Sequence, residues 1–259
     1  MMDGDDFSGP DRAPVVVSDD ELRLVWDSVG NISGKVTGRD SSEDSDGGYL
    51  LATIGRATHI VRCATIVGGD RTTNLVAFAG DAAVAIVPSG QSWELIALPV
   101  IEAVRWIESQ LKLVGDDQPQ MVVVMTRYSL DESTRSADLG QPDEAIASLV
   151  ADGVAHEAAQ VFVGSWRSRL RTGSVTCFSA RDSASEGPLV GTSSMVARSF
   201  TWFEDGGHSI WLLPGSIEEG APTEAVRASA AGFGSAVTAL MALAGWSEWA
   251  SLEIDSMKL

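Results

Sequence analysis

Between Thr58 and Leu111 the chain passes through four short apolar runs parted by turn residues, then enters an amphipathic helix. The runs are His59–Val67, Asn74–Ala79, Ala82–Val87 and Ser92–Ala97. Gly68-Gly69-Asp70-Arg71, Gly80-Asp81 and Pro88-Ser89-Gly90 separate them, and such residues accept the positive φ that tight turns demand. The spacing predicts a β-meander. Its runs are apolar on both faces, which requires a sheet covered on both sides. Pro99 opens the helix, where its missing N–H costs nothing. Val100, Val104, Ile107 and Leu111 then share one helical face, and Glu108 and Lys112 form an i,i+4 pair. A weaker version follows: "GSVTCFSARDSAS" from Gly173, "MVARSFTWFEDGGHSIWLLPG" from Met195, and a long helix expected from Thr223. Each copy carries a cysteine in its first strand, Cys63 or Cys177, and each has a hairpin turn, at Gly80-Asp81 or at Glu204–Gly207. The chain therefore reads as a pseudo-repeat of a meander plus helix.

The flanking segments follow from local rules. Residues 1–13 are polar and acidic and read as disordered. Val15–Val17 reads as a strand, and Ser18 or Asp19 as the N-cap of a helix that Gly30 ends. Residues 31–48 are rich in Ser, Asp and Gly and read as a solvated linker, with an acidic docking segment as the alternative. Met121–Met125 is β-prone, residues 131–142 are loop-like, and Asp143 begins a helix that Gly153 can break. The domains expected are residues 14–130 and 131–259, one per half.

With 259 residues and 44% hydrophobic content, the chain can bury a substantial core. Its formal net charge of −18 repels phosphate and anionic headgroups, so neither nucleic acid nor membrane insertion is expected. No apolar run approaches the ~18 residues of a membrane span, which points to the cytoplasm. Two cysteines are too few for a disulfide framework. They are either buried thiols or one bridge between equivalent strands.

A search for chemistry finds no constellation. His59, His156 and His208 lack partners at metal-ligand spacing. No GxSxG, HExxH or Walker loop occurs. The carboxylates cluster in loops without desolvation. Hence no catalytic residue, metal or cofactor is expected. Arg167, Arg169 and Arg171, spaced by two, would share one face of a strand, either solvated or paired within this acidic chain, with a site for an acidic partner as the sharper alternative. Trp26, Trp93, Trp106, Trp202 and Trp211 lie in core stripes, whereas Trp246 and Trp249 are candidates for a partner-binding pair. Val226, Ala230, Phe233, Val237 and Leu240 recur at helical spacing and read as one packed stripe.

The order of "SDDELRLVWDSVG", "LVAFAGDAAVAIVPSGQSWELIALP", "QPQMVVVMTRYSLDE" and "FTWFEDGGHSIWLL", with its terminal helix, resembles the EspG family of type VII (ESX) secretion chaperones from actinobacteria. The resemblance covers roughly residues 14–245. It implies an α/β fold of the α+β type, in which two pseudo-symmetric meander-plus-helix halves share a central, mainly antiparallel sheet flanked by helices. It also implies a non-enzymatic cytosolic chaperone. Such a chaperone binds the helical tip of a PPE protein in a PE–PPE heterodimer, keeps it soluble and directs it to export. By matching order, the substrate-facing loop would be Gly68, Gly69, Asp70 and Arg71, and the helical end would be 223–243. The chain departs from the family in its Ser/Asp-rich segment before the first meander, where members carry extra helical structure, and in the shortness of the GGDR loop. The other readings left open are a secretion-associated paralogue with a different partner and a homodimer using the C-terminal helix. An enzyme or ligand carrier is disfavoured.

Overall fold

A computed structural model describes residues 14–18, 46–111, 120–180, 195–214 and 222–243. The helix expected after Ser18, Trp26 and Lys112, and the pair Trp246 and Trp249, lie outside the described residues. Ten strands form a sheet in the order β1-β5-β4-β3-β2-β7-β8-β9-β10-β6. They are β1 (Val15–Ser18), β2 (His59–Val67), β3 (Asp70–Ala79), β4 (Ala82–Ser89), β5 (Ser92–Pro99), β6 (Met121–Thr126), β7 (Arg171–Ala180), β8 (Met195–Glu204), β9 (Ile210–Pro214) and β10 (Pro222–Ala228). Six helices accompany them among the described residues: α1 (Asp46–Gly55), α2 (Val100–Leu111), α3 (Arg127–Asp138), α4 (Pro142–Ala151), α5 (His156–Arg167) and α6 (Ala230–Leu243). The fold is mixed α/β with a mainly antiparallel sheet, as the repeat requires. Each half contributes one lone strand, a four-strand meander and a closing helix, and the lone strand pairs with the last strand of its own meander.

The chain groups into two compact units, each assembled from separated segments: residues 1–61, 73–103 and 178–196, and residues 62–72, 104–177 and 197–259. In the first, Leu50 and Ile54 of α1 bury with Val17, Ala77, Val84, Ile86 and Leu95. Ala83 to Ile86 are four consecutive buried residues, so β4 is covered on both faces. Helix α1 corrects the linker expectation over its last residues. Leu50 and Ile54 stand one turn apart and bury together, and Thr53 donates its hydroxyl to the Tyr49 carbonyl at 2.9 Å.

In the second unit, α3, α4 and α5 pack with β6, β8, β9 and β10 around Phe162, Phe203 and Trp211. Phe162 meets both rings edge-on, at 6.1 and 5.4 Å. Helix α3 replaces much of the loop expected over 131–142. Its sequence "RYSLDESTRSAD" looks loop-like because Ser129, Ser133 and Ser136 are polar yet buried. Ser133 returns its hydroxyl to the Leu130 carbonyl at 3.0 Å, which removes the usual penalty on a buried hydroxyl. Thr126 caps the helix by accepting from the Ser129 amide. Gly153, at φ 96°, separates α4 from α5 as expected.

The long C-terminal helix starts later than expected. Pro222–Ala228 is strand β10, so Val226 does not belong to the helical stripe. Ser229 resets the chain, accepting the Gly232 amide on its hydroxyl and the Phe233 amide on its carbonyl. Phe233, Val237 and Leu240 are buried, and Phe233 meets the Phe200 and Trp202 rings edge-on.

Cys63 and Cys177 are free and buried. Burial, with the neighbouring Cys177 adding to it, pushes the Cys63 thiol up to about 12, and burial pushes Cys177 up to about 12. Only a thiolate attacks electrophiles readily. Both cysteines should therefore resist iodoacetamide at pH 8 in the native protein and alkylate together on unfolding in urea, which mass spectrometry of the quenched samples reads directly.

Gly173 of β7 sits where a Cβ would run into the Ala64 carbonyl and lie 2.6 Å from the Trp202 indole. Gly173→Ala should lower stability by about 1–3 kcal/mol, the usual cost of overpacking a closed site. A urea transition at the wild-type midpoint would contradict this close approach.

Candidate functional site

The tip of the β2–β3 hairpin turns on two residues. Gly68 and Gly69 are both left-handed, at φ 58° and 98°. Asp70 and Arg71 are therefore not loop residues, as the four-residue turn had it; they open strand β3. Ile66, Val67 and all four GGDR residues are exposed, Ile66 by 42% and Val67 by 52%. The hairpin thus presents two aliphatic side chains and a cation on a narrow turn.

Ile66 and Arg71 form one wall of a groove of about 450 Å³. Trp166 and Arg169, at the end of α5, line it elsewhere, and Trp202 of β8 and Leu213 of β9 contribute apolar surface. Gly173, lacking a side chain, lets the Trp202 indole lie against β7. The Trp202 Nε1 donor is buried and has no acceptor among the described residues. Thr172, Ser174 and Thr201 add hydroxyls to the lining. The groove accordingly combines aromatic faces with hydrogen-bond donors and arginines.

The three arginines do not share a strand face. Arg167 ends α5, Arg169 lies in the connection, and Arg171 begins β7. Two of them are paired within the chain. Arg169 contacts the Asp138 carboxylate at 2.9 Å and lies 4.6 Å from the centre of the Trp166 ring, whose Nε1 donates to the same carboxylate. Arg171 bonds the buried Glu204 carboxylate and the Leu111 carbonyl. The other Glu204 oxygen meets His208 Nδ1 at 2.7 Å. Arg71, by contrast, makes no ion pair among the described residues and faces the groove as a cation.

Sequence reasoning named the hairpin but missed Trp166 and Trp202 as groove residues. Trp202 read as core, and it is core on one side. Trp166 carried a signal in its neighbours, since "SWRSRLR" sets an aromatic ring beside three cations. The titratable groups with shifted values lie elsewhere. Among the described residues they are the two thiols and Glu108, whose carboxyl is raised by burial, opposed by Arg105, and which lies against Gly234 of α6. Among the described residues no cluster of His, Cys, Asp and Glu could hold a metal, and no helix is long and apolar enough to cross a membrane.

Against solved structures, the chain is similar to the Mycobacterium tuberculosis type VII secretion system chaperone EspG5, solved in complex with a PE25–PPE41 dimer. The likeness covers 88% of this chain and 96% of that one, at a TM-score of 0.63 and 11% identity. The fold is EspG-like. No family model matches the sequence, and no curated protein does.

The Arg171–Glu204 pair holds the strands beside the groove. Its side chains are 17% and 3% exposed, so removing the cation leaves a carboxylate buried. Arg171→Met should cost about 3–5 kcal/mol. Adding Glu204→Gln should recover part of that loss in urea denaturation. Equal loss in the single and double variants would mean that the buried charge is not what the arginine serves.

Proposed function

We propose that this protein is a member of the EspG group acting as a non-enzymatic, cytosolic chaperone or adaptor of type VII secretion. Its client is the helical tip of a PPE protein in a PE–PPE heterodimer, kept soluble and delivered for export. The observation that carries this reading is the fold likeness, which spans nearly the full length of both chains. The groove supports it. A helical tip needs apolar side chains buried and its polar end satisfied. Ile66, Val67 and Trp166 offer the first, and Arg71 offers the second. Among the described residues the lining holds hydroxyls and arginines but neither a carboxylate nor a histidine. A binding role also suits the charge. A net charge of −18 favours solubility, and Arg71, which makes no ion pair among the described residues, marks the client site.

The test is co-expression with PE–PPE pairs, followed by isolation of the complex and calorimetric titration. A stable ternary complex is expected with at least one pair. Arg71→Glu combined with Ile66→Ser should weaken it by tenfold or more, roughly 1.4 kcal/mol, with an unchanged melting transition because both side chains are exposed. Failure of every pair to bind would overturn the chaperone reading. Retained affinity in the double variant would move the client away from the hairpin.

A further inference from the structure

Strand β6 is an outer strand of the ten-stranded sheet, paired on one side with β10 and, among the described residues, with no strand on the other. Its inner side chains, Val123 and Met125, are buried, whereas Val122 and Val124 are 47% and 52% exposed. Natural edge strands are normally blunted by lysine, proline or a bulge. Between Gln120 and Thr126 the sequence "QMVVVMT" has no charge and no proline, and its pairing with β10 runs without a bulge from Met121 to Thr126.

The direction of the free backbone groups follows from one bond. The Thr126 amide donates to the Asp152 carboxylate rather than to β10. Backbone groups alternate along an antiparallel strand, so the N–H and C=O of Val124 and Val122 also turn away from β10. Asp152 occupies the outward amide at Thr126, and among the described residues no strand pairs with the edge over Val122–Val124.

The geometry points to β6 as a self-association edge, on which the β6 strand of a second copy of this chain pairs antiparallel about a two-fold axis through Val123. Two features select a second copy. First, the open stretch is its own complement: Val122 of one copy meets Val124 of the other, and the two such pairs exchange about four main-chain hydrogen bonds. Asp152 stops the ladder at the same place in both copies, which fixes the register. Second, the charges permit it. In a chain of net charge −18, a neutral strand is where two copies approach without opposed carboxylates. The nearest charges on β10 are Glu224, opposite Val124, and Arg227, opposite Met121. In the two-fold register the Glu224 carboxylate is two strands removed from the partner's valine and faces no acidic group. Val226, Val122 and Val124 of the second copy then form a continuous apolar row across the junction. A basic segment of another protein would find no carboxylate on the open strand itself to pair with. This surface lies on β6 and the client groove on β2, β3, β7, β8, β9 and the end of α5, so the inference stands independently of the chaperone reading.

Sedimentation velocity of the full chain over a concentration series, from low micromolar upward, tests it. A monomer–dimer equilibrium is expected. Val122→Lys with Val124→Lys should raise the dimer dissociation constant at least tenfold, because like charges would meet across the junction. Val124→Pro should do the same by deleting one outward amide that β10 does not use. Thermal melts of the variants at low concentration should match the wild-type monomer, separating lost association from lost folding. A wild-type protein that stays monomeric throughout the series overturns the proposal. So does a dimer that the lysine variant leaves intact, or growth beyond dimer, which would mean a head-to-tail contact rather than a closed pair.

Discussion

Much of the second unit depends on one contact, the Trp202 indole lying on the bare backbone of Gly173. A side chain at 173 would strike both the Ala64 carbonyl and the indole, so the three strands β2, β7 and β8 meet there only because one residue has no Cβ. From that position Trp202 faces three ways. Its ring meets Phe233 of α6 edge-on, it carries the Arg171 guanidinium 5.9 Å from its centre, and it lines the groove. Core, buried ion pair and candidate surface therefore converge on one side chain. A change that tilts the indole alters all of them together.

The sequence showed the repeat more fully than its elements. Runs of β-branched and small apolar residues marked β2 and β4 nearly to their ends, and in β4 the burial of Ala83–Ile86 on both faces leaves no room for polar residues. What escaped was structure whose signal is not hydrophobic. Helix α3 buries three serines, of which Ser133 bonds its hydroxyl back to the Leu130 carbonyl of its own helix, so its composition imitates a loop. Strand β10 was absorbed into a helix because Val226 falls by chance on the helical spacing of Phe233 and Val237. Ser229, whose hydroxyl and carbonyl accept two amides of the first turn, is the residue that separates them. Once β10 is a strand, the repeat becomes more regular than expected. β1 and β6 are the matching lone strands, each added to the end of its own meander.

The candidate site was half legible for a related reason. A Gly-Gly pair announces a hairpin tip, so Gly68 and Gly69 could be located from the sequence. The groove beside them needed the fold, because Trp166, Trp202 and Leu213 come from α5, β8 and β9 and have no common spacing. The arginine cluster shows the limit of counting charges. Of Arg71, Arg169 and Arg171, the two in the conspicuous basic run are paired with Asp138 and Glu204. The isolated one on the hairpin, Arg71, lines the groove without an ion pair among the described residues.

The two meanders also solve the same turn differently. Between β3 and β4 the chain reverses at Gly80, whose φ of 59° costs a glycine little. The equivalent reversal between β8 and β9 places His208 at φ 61°, a conformation unfavourable for a residue with a side chain. Carboxylates hold it there. Asp205 accepts the Gly207 and Ser209 amides at 2.9 Å, and Glu204 holds the His208 ring at 2.7 Å while bonding Arg171. In the first half the turn rests on the backbone freedom of Gly80. In the second it is tied, through Arg171, to the strand that carries Gly173 and to the floor of the groove. The duplicated architecture thus has one turn built on glycine and one whose carboxylates reach, through Arg171, to a strand that lines the groove.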